Sequence, residues 1–99
     1  MQTTLIEQLI DNIIDNDIRS CAKLLDSGVD PNGTLDSAGL TPLHFAAQNN
    51  RAEIITLLIK AGGNVCAKTH PDQESPLDIA KLHANWPAVD ALNLITLNN

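Results

Sequence analysis

Apolar residues along this chain recur at helical spacing in short blocks, with no long unbroken run. In the middle of the chain Leu43, Ala46 and Ala47 mark one segment, and Ile54, Ile55, Leu57, Leu58 and Ile59 mark the next. These positions face both ways, so one isolated pair of helices cannot bury them, whereas neighbours stacked on each side can. Sliding the sequence by 34 residues reveals such neighbours. "TPLHFAA" from Thr41 meets "SPLDIAK" from Ser75, and "LLDSGVDPN" from Leu24 meets "LIKAGGNVC" from Leu58. Ile55 and Leu58 meet Val89 and Leu92, which keeps the helical spacing in a third copy.

Each copy predicts a helix, a tight turn, a second helix and an extended loop. Thr4 and Glu7 have the spacing of a capping box, while Thr41-Pro42 and Ser75-Pro76 place a hydroxyl cap before a proline at the first helical position. The first helices are expected over about Leu5 to Asp15, Pro42 to Asn49 and Pro76 to His83. The second helices are expected to begin after Asn16, after Asn50 and near Asn85, a residue type that tolerates the left-handed backbone of a tight turn. Gly28 and Gly62 suit the stop just beyond a helix, the third copy runs on to the C-terminus, and Pro87 falls in a first turn that accepts it.

Composition narrows this picture. The 99 residues fit one small domain, and with Phe45 and Trp86 as the only aromatic residues the core must be aliphatic. No apolar run approaches the roughly 20 residues that span a bilayer, and the N-terminus lacks a basic leader, so the expected location is cytoplasmic. Cys21 and Cys66 are read as free thiols, Cys21 at a core position and Cys66 exposed. The net charge of −6 argues against nucleic acid and anionic membranes as partners. Residues 1–36 carry a net −5 and residues 37–99 a net −1, so the acidity is N-terminal.

The stretch "DSAGLTPLHFAAQNNRAEIITLLIKAGGNV", residues 36–65, closely resembles the ankyrin repeat. It holds the D-x-x-G-x-T-P-L-H-x-A-A pattern, the second-helix pattern beginning at Glu53-Ile54-Ile55, and the glycine stop, all in order. The resemblance extends through "CAKLLDSGVDPN" before it and "SPLDIA" with "AVDAL" after it. It implies an all-α fold, a single solenoid of stacked helix-turn-helix units over residues 1–99, with repeats at about 4–37, 38–71 and 72–99.

Departures from the family pattern are specific. The period of 34 puts one extra residue in each loop, near Leu35 and near Thr69. Gln73 stands where Gly39 stands, so the second loop tip is expected to turn differently; Cys66 replaces Asn32, and Asp78 replaces His44. The resemblance gives Thr41, Pro42, His44, Ser75 and Pro76 structural roles, with the His44 imidazole bonding the Thr41 hydroxyl or a carbonyl of the adjoining loop.

It also implies binding of another protein by a concave surface of loop tips and first helices. The matching positions are Ser37, Ala38, Leu40, Gln48 and Asn49, then Pro71, Asp72, Glu74, Leu82 and His83, with Leu40 and Gln48 expected to be exposed. Trp86 is read as packing over its turn, the other reading being an exposed anchor for a partner. Glu7, Asp11 and Asp15 form an i, i+4 acidic strip, either a solvated cap face or a docking strip for a basic partner.

No phosphate loop, catalytic carboxylate pair or nucleophile motif is visible, so no enzymatic activity or cofactor is expected. Cys66, His70, Asp72 and His83 lack the paired short spacings of a structural zinc site. The expected state is a monomer, with the C-terminal helix around Leu92, Leu94 and Ile95 as the alternative surface for binding and for self-association. Three other functional readings are a stoichiometric inhibitor or immunity protein against a basic toxin or enzyme, an enzyme or metal protein using His70, His83 and Cys66, and an effector adaptor acting in a host cytosol.

Overall fold

The computed structural model describes residues 4–97, with side chains through residue 94. Six helices are present among the described residues: α1 (Leu5–Ile14), α2 (Ile18–Asp26), α3 (Pro42–Gln48), α4 (Ala52–Lys60), α5 (Pro76–Leu82) and α6 (Trp86–Leu97). The first helices α1, α3 and α5 lie side by side in one layer, and α2, α4 and α6 form the second. Among the described residues no helix is long and apolar enough to cross a membrane.

The helix starts follow local chemistry. The Thr4 hydroxyl accepts from the Glu7 N–H at 3.2 Å, and the Asp17 carboxylate accepts from the Ser20 N–H at 3.1 Å. Ser75 and Asp78 form a complete box: the Ser75 hydroxyl accepts from the Asp78 N–H, and the Ser75 N–H donates to Asp78 Oδ2. Each first helix ends one residue before the expected boundary, because Asp15, Asn49 and His83 serve as C-caps.

The tight turns correct one expectation. Asn16 and Asn50 take the left-handed conformation, at φ 58° and 59°, but in the third copy it is Ala84, at φ 54°, and not Asn85. The 34-residue register outweighs residue preference there, although a left-handed non-glycine residue costs about 1–2 kcal/mol. Asn85 is used elsewhere, in a tie between copies. Gly28 and Gly62 follow the C-caps of α2 and α4 at φ 102° and 105°.

The core is aliphatic. Leu9, Ile13, Cys21, Leu43, Ile54, Ile55 and Leu58 have no solvent exposure, and Phe45 packs at its margin. Trp86 departs from expectation: it is 59% exposed and leaves the core to Ala88, Val89 and Leu92 of the same helix. Its position corresponds to Ala52, the residue that opens α4.

Polar side chains tie the copies together. The Asn85 amide donates to the carbonyls of Ala47 and Gln48 at the end of α3, and the Arg51 guanidinium donates to those of Ile13 and Ile14 at the end of α1. Asn50 Oδ1 accepts from the Ala88 N–H at 3.1 Å. Asn32 spans the first two copies: its Nδ2 donates to the Gly62 carbonyl at 3.1 Å, and its Oδ1 accepts from the Asn64 N–H at 2.7 Å.

Candidate functional site

The first loop tip turns through Asp36, whose carboxylate accepts from the Ala38 N–H at 2.9 Å, and through Gly39 at φ 77°. The second tip closes on Thr69. Its N–H donates to the Glu74 carbonyl at 3.0 Å, and its hydroxyl accepts from the Glu74 N–H at 3.1 Å. Thr69, near the expected extra loop residue, is therefore buried and bonded within the tip.

Gln73 adopts φ 57°, so the second tip keeps a left-handed residue at the place of Gly39 even without glycine. The expected difference between the turns lies elsewhere in the tip, where the His70–Pro71 peptide is cis. The Gln73 side-chain amide lies 3.2 Å from His70 Nδ1, and the Gln73 backbone N–H donates to the Thr69 carbonyl at 2.9 Å, bonds that hold the residue in this region.

The two tips are joined directly: the His70 N–H donates to the Ala38 carbonyl at 2.8 Å. A Cβ on Gly39 would come within 3.3 Å of both His70 Cδ2 and the Lys68 carbonyl, so the second tip lies against bare backbone.

Beneath the tips, His44 is fully buried. Its Nε2 lies 2.9 Å from the Glu74 carbonyl, which can only accept, so Nε2 carries the proton. Nδ1 then accepts from the Thr41 N–H at 3.0 Å and lies 2.8 Å from the Thr41 hydroxyl. Burial pulls the imidazole pKa below its ordinary value, against the smaller opposing effect of the Glu74 carbonyl, and the ring is neutral. It fastens the start of α3 to the second tip. Pro42 and Pro76 are buried at the first positions of α3 and α5.

Of the residues expected at the partner surface, Ser37, Gln48, Asp72, Leu82 and His83 are exposed, as is Pro71, while Ala38, Asn49 and Glu74 are half-buried. Leu82 is 71% exposed. Asn49 is occupied in capping, its Nδ2 donating to the Phe45 carbonyl at 2.8 Å. The expected exposure of Leu40 is corrected: it is half-buried and packs against the core. Glu7 and Asp11 on α1 and Asp15 at its C-cap are all exposed. Leu94 is 62% exposed and Leu92 is buried, while the Ile95 side chain lies outside the described residues. Among the described residues no three His, Cys, Asp or Glu side chains converge as a metal site.

A cleft of about 510 Å³, absent from the sequence reading, is lined by Val65, Cys66, Lys68, Ser75, Leu77, Asp78 and Leu92. The signal for it is the register. Leu77 and Asp78 correspond to Leu43 and His44, which are sealed in the middle copy, whereas Leu77 is half-buried and Asp78 exposed.

Comparison with known proteins agrees with this architecture. Human "Ankyrin repeat domain-containing protein 40" is 40% identical over 48 residues, covering 48% of this chain and 13% of that protein. An ankyrin repeat-containing protein of Schizosaccharomyces pombe is 34% identical over 59 residues, covering 60% of this chain and 28% of that protein. The Drosophila melanogaster tyrosine-protein kinase Shark is 39% identical over 71 residues, covering 72% of this chain and 8% of the kinase. The chain thus matches no more than 28% of the length of these relatives. A family model described as "Ankyrin repeats (many copies)" matches residues 9–59, and with three helix pairs stacked in register the chain belongs to the ankyrin repeat family.

Proposed function

We propose that this chain binds another protein through the surface formed by its two loop tips and the solvent-facing ends of α3 and α5. The observation that carries this reading is the pinning of one tip to the next by the His70–Ala38 bond, with the His44–Glu74 bond beneath it. Ser37, Gln48, Asp72, Leu82 and His83 therefore stand on backbone that has little order left to lose when a partner arrives. Leu82 supplies an apolar anchor, and the side chains around it a polar rim. The acidic strip of Glu7, Asp11 and Asp15 favours a partner with a basic face, acting through steering. No catalytic role is proposed, because the kinase relative shares only this repeat segment with the chain.

Replacing Gln48 and Leu82 together with Arg tests this surface, since both side chains are exposed and neither supports the core. A pull-down from native lysate read by mass spectrometry should lose the partner captured by the parent, while the circular-dichroism spectrum and melting temperature stay close to the parent's. Undiminished capture by the double variant overturns the assignment. Neutralising Glu7, Asp11 and Asp15 should slow association and flatten its salt dependence.

A further inference from the structure

The loop leaving α2 contains the only Asn-Gly pair in the chain, Asn32-Gly33, and each half of it answers a separate structural need. The Asn32 carboxamide ties the first copy to the second through Gly62 and Asn64. Gly33 supports α1: a Cβ there would meet Ile6 Cδ1 at 3.0 Å and Cγ1 at 3.2 Å. The equivalent places in the next loop are Cys66 and Ala67, so this chemistry occurs once.

We propose that Asn32 is a spontaneous deamidation site, held in check by the contact between the first two copies and breaking that contact once it reacts. The deprotonated Gly33 amide nitrogen attacks the Asn32 carboxamide carbon. A ring C–N bond forms, the bond to the side-chain nitrogen breaks, and that nitrogen leaves as ammonia with protons from water. A second water opens the cyclic imide at either carbonyl, leaving aspartate or isoaspartate, with no change in oxidation state.

The folded chain opposes the first step. The Gly33 N–H donates to the Asp30 carbonyl at 3.3 Å, the Asn32 N–H donates to Asp30 Oδ1 at 2.8 Å, and both atoms of the carboxamide are bonded to the second copy. Reaction therefore waits on local opening of this loop. The residue is exposed, so water reaches the imide. The carboxylate produced has no N–H for the Gly62 carbonyl and sets a charge against it. Isoaspartate also lengthens the backbone by one methylene, and in either product the first copy loosens from the second.

The test ages the full chain at mildly alkaline pH in native buffer and in urea, following the peptides that carry Asn32, Asn49, Asn64 and Asn85 by mass spectrometry. In urea Asn32 should convert ahead of the others, and in native buffer its conversion should be slower by on the order of tenfold or more. Equal rates in the two conditions overturn the protection, and a different leading asparagine overturns the site. Aged native protein, separated from its parent by ion exchange, should show faster hydrogen exchange in α1 and α2 with α5 and α6 unchanged. Unaltered exchange in α1 and α2 overturns the loosening.

Discussion

Asn85 and Arg51 occupy the same position in successive copies, and both reach back to the last carbonyls of the first helix before them: Asn85 to Ala47 and Gln48, Arg51 to Ile13 and Ile14. The Ile13 and Ala47 carbonyls also accept from the Asn16 and Asn50 N–H groups of their own turns, at 3.1 and 3.3 Å, and the next copy completes each C-terminal cap at Ile14 and Gln48.

Asn85→Ala removes two of these bonds, at 2.9 Å each, without disturbing the Ala84 turn. The expected loss is about 1–2 kcal/mol, because one carbonyl is only partly accessible to water. Urea denaturation measures it, and an unchanged midpoint would remove Asn85 from the set of ties between copies.

Gly39→Ala meets two penalties together. Its φ of 77° is disfavoured for an L side chain, and its new Cβ would press on His70 and the Lys68 carbonyl at 3.3 Å. The expected cost is about 1–3 kcal/mol. Amide protection of His70, which bonds Ala38, should fall first. Protection equal to the parent's would show that the tips are not pressed together.

The pH dependence has two windows. The pKa of His44 in the folded chain lies below its ordinary 6.5, so the folded state binds fewer protons, and the stability this gives is complete above 6.5. It is lost as pH falls below that value. The carboxyls of Asp17, bonded by the Ser20 hydroxyl and N–H, and Asp78, bonded by the Ser75 N–H and hydroxyl, lie below 3.8, and their contribution is lost as pH falls through that lower region. Melting temperature should therefore decline in two stages on acidification. His44→Asn should flatten the upper stage and leave the lower one; a parent curve level down to about pH 5 would contradict the neutral-imidazole assignment.

The two thiols should react at different rates. Burial, with a smaller contribution from Asp17, pushes the Cys21 thiol up to about 11, and Cys21 has no solvent exposure, whereas Cys66 is exposed. A thiol reagent at mildly alkaline pH should label Cys66 promptly and Cys21 only on unfolding. Equal labelling of both in native buffer would contradict the buried position of Cys21.

The sequence by itself determined what neighbouring residues in the chain can decide: six helices at a 34-residue period, hydroxyl caps at Thr4 and Ser75, glycine stops at Gly28 and Gly62, an aliphatic core and the burial of Cys21. Capping and helical periodicity act within a few residues, so their signals survive in one dimension. Tertiary structure decided what depends on partners a whole copy away. Ala84 and Gln73 take left-handed conformations because adjoining bonds outweigh a local cost of about 1–2 kcal/mol. Leu40 is drawn toward the core, Trp86 is left outside it, and Asn32, Arg51 and Asn85 find acceptors that no local spacing announces. The cleft beside Leu77 likewise arises where the third copy lacks, among the described residues, the neighbour that seals Leu43 in the second. Burial and long-range hydrogen bonding are properties of the surface each copy presents to the next, and that surface exists only once the helices have stacked.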